Sequence, residues 1–198
     1  DLRGHGKSGG KRGQAPSFNA FMDDVVVLLK EAAQRYVGLP CFLWGHSLGG
    51  LLVSNYVLRR KPQLTGVVIT SPGLRTAVAD QKIKIKMASI LGKLLPEMSM
   101  PTGLDAKLIS RDPAVVERYV NDPLVHGTAT LAMAKYTIEA IPYVFEHGSE
   151  WALPVLLMHG DADAIAYVSG SEELAKLIKQ DCTLKIWPGL WHETHNEP

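Results

Sequence analysis

One serine stands out, framed by glycines in Gly45-His46-Ser47-Leu48-Gly49. A serine hydroxyl is a poor nucleophile at neutral pH unless a general base takes its proton and a third group orients that base. Candidates for both lie far downstream, Asp163 in His159-Gly160-Asp161-Ala162-Asp163 and His192 in Trp187-Pro188-Gly189-Leu190-Trp191-His192. The G-x-S-x-G string alone is weak, since roughly one chain of this length in fifteen carries it by chance. Context decides. Used as a nucleophile elbow, it must follow an apolar strand and open a helix, so that a strained turn exposes the serine oxygen.

The elements around it meet that demand. Cys41-Phe42-Leu43-Trp44 is a short apolar run that suits a strand buried on both faces of a parallel sheet. A helix carrying Leu48, Leu51, Leu52 and Tyr56 follows, then a β-branched strand, Val67-Val68-Ile69-Thr70, closed by the turn signal Ser71-Pro72-Gly73. Upstream, Ser17 can cap a helix whose apolar positions are Phe18, Phe21, Val25, Leu28 and Ala32. Downstream come a strand at Pro154–His159, a helix with Leu174, Leu177 and Ile178, and a strand at Thr183–Trp187. Alternation of this kind predicts an α/β protein, a mostly parallel sheet flanked by helices. The glycines of the elbow are expected to be required because a Cβ would collide with the neighbouring strand and helix.

Asp163 and His192 then fall just past the carboxyl ends of predicted strands, where the ligands and catalytic groups of open α/β sheets gather. Asp161 is the rival acid, but Asp163 reaches further into the loop, toward a histidine from the next strand. His195 competes with His192, although a following helical turn would carry it away from the strand end. His126 and His147 read as structural or solvated. His46 reads the same way, and its place inside the elbow also makes it a candidate for substrate contact. Leu48, the residue after the nucleophile, is expected to offer its backbone N–H to the oxyanion of an acyl-transfer intermediate.

Composition sets bounds. With 198 residues, 46% hydrophobic and 21% charged, the chain can build a sizeable globular core. The formal charge of +1 is spread along the chain, without the basic stripe that a phosphate backbone requires, so nucleic acid is not an expected partner. Cys41 and Cys182 are expected to be free thiols in a reducing, cytoplasmic compartment. No apolar run approaches the ~20 residues of a membrane span.

With these residues in place, the chain resembles the monoacylglycerol lipases and related lysophospholipase-like serine hydrolases of the α/β-hydrolase fold, over nearly its whole length. Besides the elbow, the resemblance rests on Asp1-Leu2-Arg3-Gly4-His5-Gly6-Lys7-Ser8, Gly38-Leu39-Pro40, Ser71-Pro72 and Asn121-Asp122-Pro123-Leu124. It implies ester cleavage on single-chain lipids by Ser47, Asp163 and His192, with no metal or organic cofactor. It also implies that the family's first strands and its second oxyanion donor precede Asp1, and that its closing helix follows Pro198, so the 198 residues read as part of a longer enzyme. Lysophospholipases and short-chain esterases share the pattern. A dehalogenase or epoxide hydrolase would want aspartate at the elbow, and a non-catalytic receptor of this fold would lack a triad partner.

Residues 1–73 and 152–198 are thus expected to form the hydrolase core, with 74–151 inserted as a helical cap. That stretch is Met- and Lys-bearing and interrupted by Pro96, Pro101, Pro113, Pro123 and Pro142. Ile83, Met87, Ile90, Leu91 and Leu94 recur at roughly helical spacing beside Lys82, Lys84, Lys86 and Lys93. Met87 and Leu91 are candidates for lining an acyl pocket, and the cap as a whole for shallow contact with an anionic membrane. The bland alternatives are that this face packs on the main domain, and that Met87, Met98, Met100 and Met133 are ordinary core.

Overall fold

A computed structural model describes residues 1–76 and 94–198. Four strands, β1 (Phe42–His46), β2 (Gly66–Thr70), β5 (Val155–Gly160) and β6 (Cys182–Trp187), form one sheet in the order β1-β2-β5-β6. Every pairing in it is parallel. Helix α2 (Leu48–Arg60) crosses from β1 to β2, and α5 (Val168–Leu177) from β5 to β6. Because all four strands run the same way, the residues following each of them emerge at a single edge. His46 is in register with Thr70, Thr70 with Met158, and Gly160 with Trp187.

The helices form where their sequences allow. Helix α1 (Phe18–Arg35) starts at Ser17, whose hydroxyl accepts the Ala20 N–H, and buries Phe21, Met22 and Val25. Its remaining apolar positions do not all face inward, since Leu28 is 59% exposed. Helix α2 is buried from Gly50 to Leu58, which a one-sided apolar stripe does not announce. Its interior polar groups are satisfied: Ser54 donates to the Gly50 carbonyl (2.7 Å), and the Asn55 amide to those of Leu51 and Ala140 (both 3.1 Å). The Ala140 bond ties α2 to α4 (Leu131–His147). The densest part of the core brings Leu51, Ile69, Leu74, Leu157 and Leu174 together, each fully buried and each contributing about 1.5–3 kcal/mol by leaving water.

The expected cap contains more than helices. A short antiparallel pair, β3 (Ser99–Pro101) with β4 (Thr128–Thr130), flanks α3 (Pro113–Asn121). Helix α4 then buries Leu131, Ala132, Met133, Ala140, Ile141 and Val144, most of them in the same core as α2. Met133 is therefore core, whereas Met98 and Met100 are exposed. Met87, Leu91 and the neighbouring lysines lie outside the described residues.

Strand β1 departs from the expectation of burial on both faces. Leu43 and Gly45 are buried, while Phe42 and Trp44 are 60% and 55% exposed. Thr183, Lys185 and Trp187 alternate in the same way on β6. A parallel sheet is ordinarily covered on both sides; among the described residues this one is open along Phe42, Trp44 and Trp187. Cys41 is only half-buried, and both cysteines are free thiols.

Candidate active site

The elbow is a strained turn held from several sides. Ser47 follows β1 with φ +53°, a region that residues other than glycine seldom occupy, which marks stored backbone strain. Its N–H donates to the Thr70 carbonyl (3.0 Å), and its carbonyl accepts from Gly73 (3.0 Å) and Leu51 (3.1 Å). Ser17 spends its hydroxyl on capping a helix; Ser47, at the same position of α2, makes no such bond and leaves Oγ free. Leu48 opens α2, so its N–H belongs to the first turn, where helix donors lack intrahelical partners. A Cβ at Gly45 would overlap the Gly49 carbonyl and come within 2.7 Å of the Val53 side chain, and one at Gly50 would come within 3.0 Å of Pro72. Gly49 has nothing within 4 Å. The steric demand expected of both motif glycines therefore falls on Gly45 and on Gly50 outside the motif, because a Cβ at Gly49 would point into open space.

Asp163 and His192 meet at the same edge. His192 Nδ1 donates to Asp163 Oδ2 at 2.7 Å, with His192 3% and Asp163 6% exposed. The other carboxylate oxygen, Oδ1, accepts the backbone N–H groups of Ile165 (2.8 Å) and Ala166 (3.0 Å). Burial alone would raise the Asp163 pKa, but the hydrogen bonds from His159 and His192 outweigh it and hold the carboxyl far below the usual carboxylate range. Asp161 is engaged elsewhere, its exposed carboxylate accepting the Gly189 N–H at 2.6 Å.

The His192 loop is seated by close backbone approach. A Cβ at Gly160 would overlap the Leu190 carbonyl, so the end of β5 must be glycine for the loop to pass. Ser71, with φ +42°, donates its buried hydroxyl to the His192 carbonyl at 2.7 Å. The Ser71-Pro72 pair was visible in the sequence as a turn; its grip on the histidine backbone was not.

His46 joins this edge. Its ring lies 4.7 Å from that of His192 and 5.0 Å from that of His195. Thr70 Oγ1 sits 2.9 Å from His46 Nδ1 and accepts the Trp44 indole N–H at 3.2 Å. Burial, then the neighbouring His192 and His195, push the His46 pKa down to about 3, so it stands neutral beside His192. No helical turn carries His195 away; it remains at the rim, exposed, and packs edge-on against Trp44 at 5.2 Å. It is Asp163 that distinguishes the two histidines. His126 lies 3.0 Å from the carbonyls of Gly4 and Thr128, and His147 stacks on Tyr143 at 3.9 Å, both away from this edge.

Ser47 is linked to the His192 loop through its neighbours: His46, which precedes it, lies 4.7 Å from the His192 ring, and the Thr70 carbonyl that accepts its N–H is followed by Ser71, whose hydroxyl holds the His192 carbonyl. Among the described residues no hydrogen bond joins Ser47 Oγ to the imidazole.

The family model described as serine aminopeptidase, S33, matches residues 1–198. The chain belongs to this family. Its fold is the α/β-hydrolase fold: it superposes on the crystal structure of monoacylglycerol lipase from Paleococcus ferrophilus with a TM-score of 0.91 at 36% identity, covering 100% of this chain and 75% of that one. A monoacylglycerol lipase of Mycolicibacterium smegmatis is 36% identical over 100% of this chain and 71% of its own length. An uncharacterized abhydrolase domain-containing protein of Dictyostelium discoideum is 34% identical, also over 100% of this chain but only 21% of its own length. The chain thus spans about a fifth to three quarters of these family members.

Proposed function

We propose that the protein is a carboxylic ester hydrolase of single-chain lipids, monoacylglycerols foremost, working through an acyl-enzyme on Ser47. The observation that carries this reading is the buried 2.7 Å bond from His192 Nδ1 to Asp163 Oδ2 at the sheet edge where the strained Ser47 turn leaves its hydroxyl uncommitted. His192 Nε2 takes the Ser47 proton as Oγ attacks the ester carbonyl, and returns it to the departing alcohol. Water repeats the sequence on the acyl-enzyme. Asp163 fixes the imidazole tautomer and stabilises the imidazolium without itself taking a proton. The Leu48 N–H faces the oxyanion; such a donor contributes about 3–4 kcal/mol in the transition state. No step requires a metal or an organic cofactor.

The substrate class rests on the two relatives bearing the name monoacylglycerol lipase. Residues 74–151 serve as a cap over the site and as its contact with lipid surfaces. In support, the segment exposes Leu94 (72%), Leu95, Met98 and Val120 alongside Lys107 and Arg118. Among the described residues no helix is long and apolar enough to cross a membrane. A fluorophosphonate probe tests the chemistry: it labels the wild type and spares Ser47→Ala. Rates across glycerol monoesters of increasing acyl length test the substrate, and a short-chain esterase would peak at the shortest. Failure to label the wild type would favour a non-catalytic ligand receptor.

A further inference from the structure

A second histidine sits behind the acid. His159, in β5, is fully buried, its Nε2 lying 2.8 Å from the Ala166 carbonyl and 3.2 Å from Asp163 Oδ2. A carbonyl oxygen cannot donate, so Nε2 carries the hydrogen and shares it between Ala166 and Asp163. Nδ1 faces the Ser171 hydroxyl at 2.8 Å, and this is the only side-chain hydrogen bond of Ser171 among the described residues. Ser171 is itself fully buried, and an undirected O–H there would be costly. The hydroxyl therefore donates into Nδ1, which makes His159 a neutral imidazole with its single proton on Nε2. Asp163 Oδ2 thus receives two imidazole N–H donors, and Oδ1 receives two backbone ones.

Resting on the reading of Asp163 as the acid of the triad, we propose that His159 is a positioning residue. It locks the Oδ2 lone pairs so that one points at His192 Nδ1, and Ser171, in α5, sets the tautomer that lets it do so. The chain of control runs from α5 to His159, to Asp163, to His192, and touches neither substrate nor Ser47. His159 and His192 thus share one acceptor, so the bond His159 makes to Oδ2 conditions the bond Oδ2 accepts from His192.

The variants are His159→Leu, His159→Gln and Ser171→Ala. Glutamine can reproduce both edges of the ring, its NH₂ reaching Ala166 and Asp163 and its carbonyl accepting from Ser171; leucine reproduces neither. With a 4-nitrophenyl ester as substrate, His159→Leu should lower kcat about 10- to 100-fold, the factor associated with a hydrogen bond to a charged acceptor, with KM little changed. Its acidic limb of kcat/KM against pH should also move, because the carboxylate that faces His192 has lost one of its donors. His159→Gln should restore both, and Ser171→Ala should lower kcat about two- to tenfold. The downfield proton resonance of His192 Nδ1–H reads the same arrangement without turnover: it should shift or broaden in His159→Leu and persist in His159→Gln. Leucine and glutamine variants equally impaired with an unmoved pH limb, or a resonance unchanged in both, would overturn the proposal. Should His159→Leu not fold, Ser171→Ala decides, and wild-type kcat with an unshifted resonance there would overturn it. A wild type that no fluorophosphonate labels, but whose resonance responds to His159, sinks the esterase reading and leaves the link to Asp163 intact.

Discussion

Asp163→Asn replaces one carboxylate oxygen with NH₂, and the surroundings of the two carboxylate oxygens dictate which one that must be. Oδ1 accepts two backbone N–H groups, from Ile165 and Ala166, so the amide oxygen must occupy that position. The NH₂ is then forced into the place of Oδ2, facing His192 Nδ1 and the His159 Nε2–H that Ala166 already fixes as a donor. Two consequences follow: a donor meets a donor at His159, and His192 is driven to accept at Nδ1, placing its one hydrogen on Nε2, where it can no longer receive the Ser47 proton. A wrong tautomer in a serine triad costs about 10⁴ in kcat, or about 5 kcal/mol of transition-state stabilisation. The assay is steady-state hydrolysis of a 4-nitrophenyl ester, with fluorophosphonate labelling rates alongside. Asp161→Asn is the control: its carboxylate holds only the exposed Gly189 N–H, and activity should stay within a few-fold of wild type. An Asp163→Asn enzyme retaining a tenth or more of wild-type kcat, about 1.4 kcal/mol of loss instead of 5, would refute the argument, as would a larger loss in Asp161→Asn than in Asp163→Asn.

Three further outcomes are expected. His46 stands neutral with a pKa of about 3 against an ordinary 6.5, so the folded state binds fewer protons than the unfolded one between those values, and stability falls as pH drops through that window. From neutral pH to 4.5 the cost is about 3 kcal/mol, so His46→Gln should flatten the urea midpoint against pH over this range, and an unchanged slope would count against a buried neutral His46. Gly45→Ala should yield little folded protein, while Gly49→Ala should fold as well as wild type by circular dichroism, because only the first Cβ has an obstacle; equal behaviour of the two would contradict the elbow geometry. Ser71→Ala removes the hydroxyl that holds the His192 carbonyl, and should lower kcat about two- to tenfold with KM nearly constant; a change in KM alone would place Ser71 against substrate instead.

What could be read from the sequence was whatever local pattern and strand order impose. The run before Gly45 and the periodicity after Ser47 mark a strand, a turn and a helix, and a parallel sheet sends every strand's carboxyl end to one edge. The placement of Ser47, Asp163 and His192 past strand ends of that one edge follows from topology, and the preference for Asp163 over Asp161 rests on reach alone. The reason given for His192 over His195 does not hold, since the segment forms no helical turn and His195 stays at the rim; what separates them in the structure is the Asp163 bond to His192. The environment of a side chain is a different kind of information. His159 looks like one more residue of an apolar strand, and Ser171 like one more polar position on a helix. Only packing reveals that both are fully buried and must settle their protons against Asp163. Periodicity likewise cannot say what lies across a face. Leu28 reads as core from its helical spacing, and Phe42 and Trp44 because parallel sheets ordinarily are covered, yet all three are more than half exposed. Catalytic identity is therefore carried by the order of elements along the chain. The tuning of the catalytic groups depends on third and fourth neighbours, which no spacing rule encodes: a serine on α5 sets a tautomer in β5, and through it the imidazole in the loop after β6.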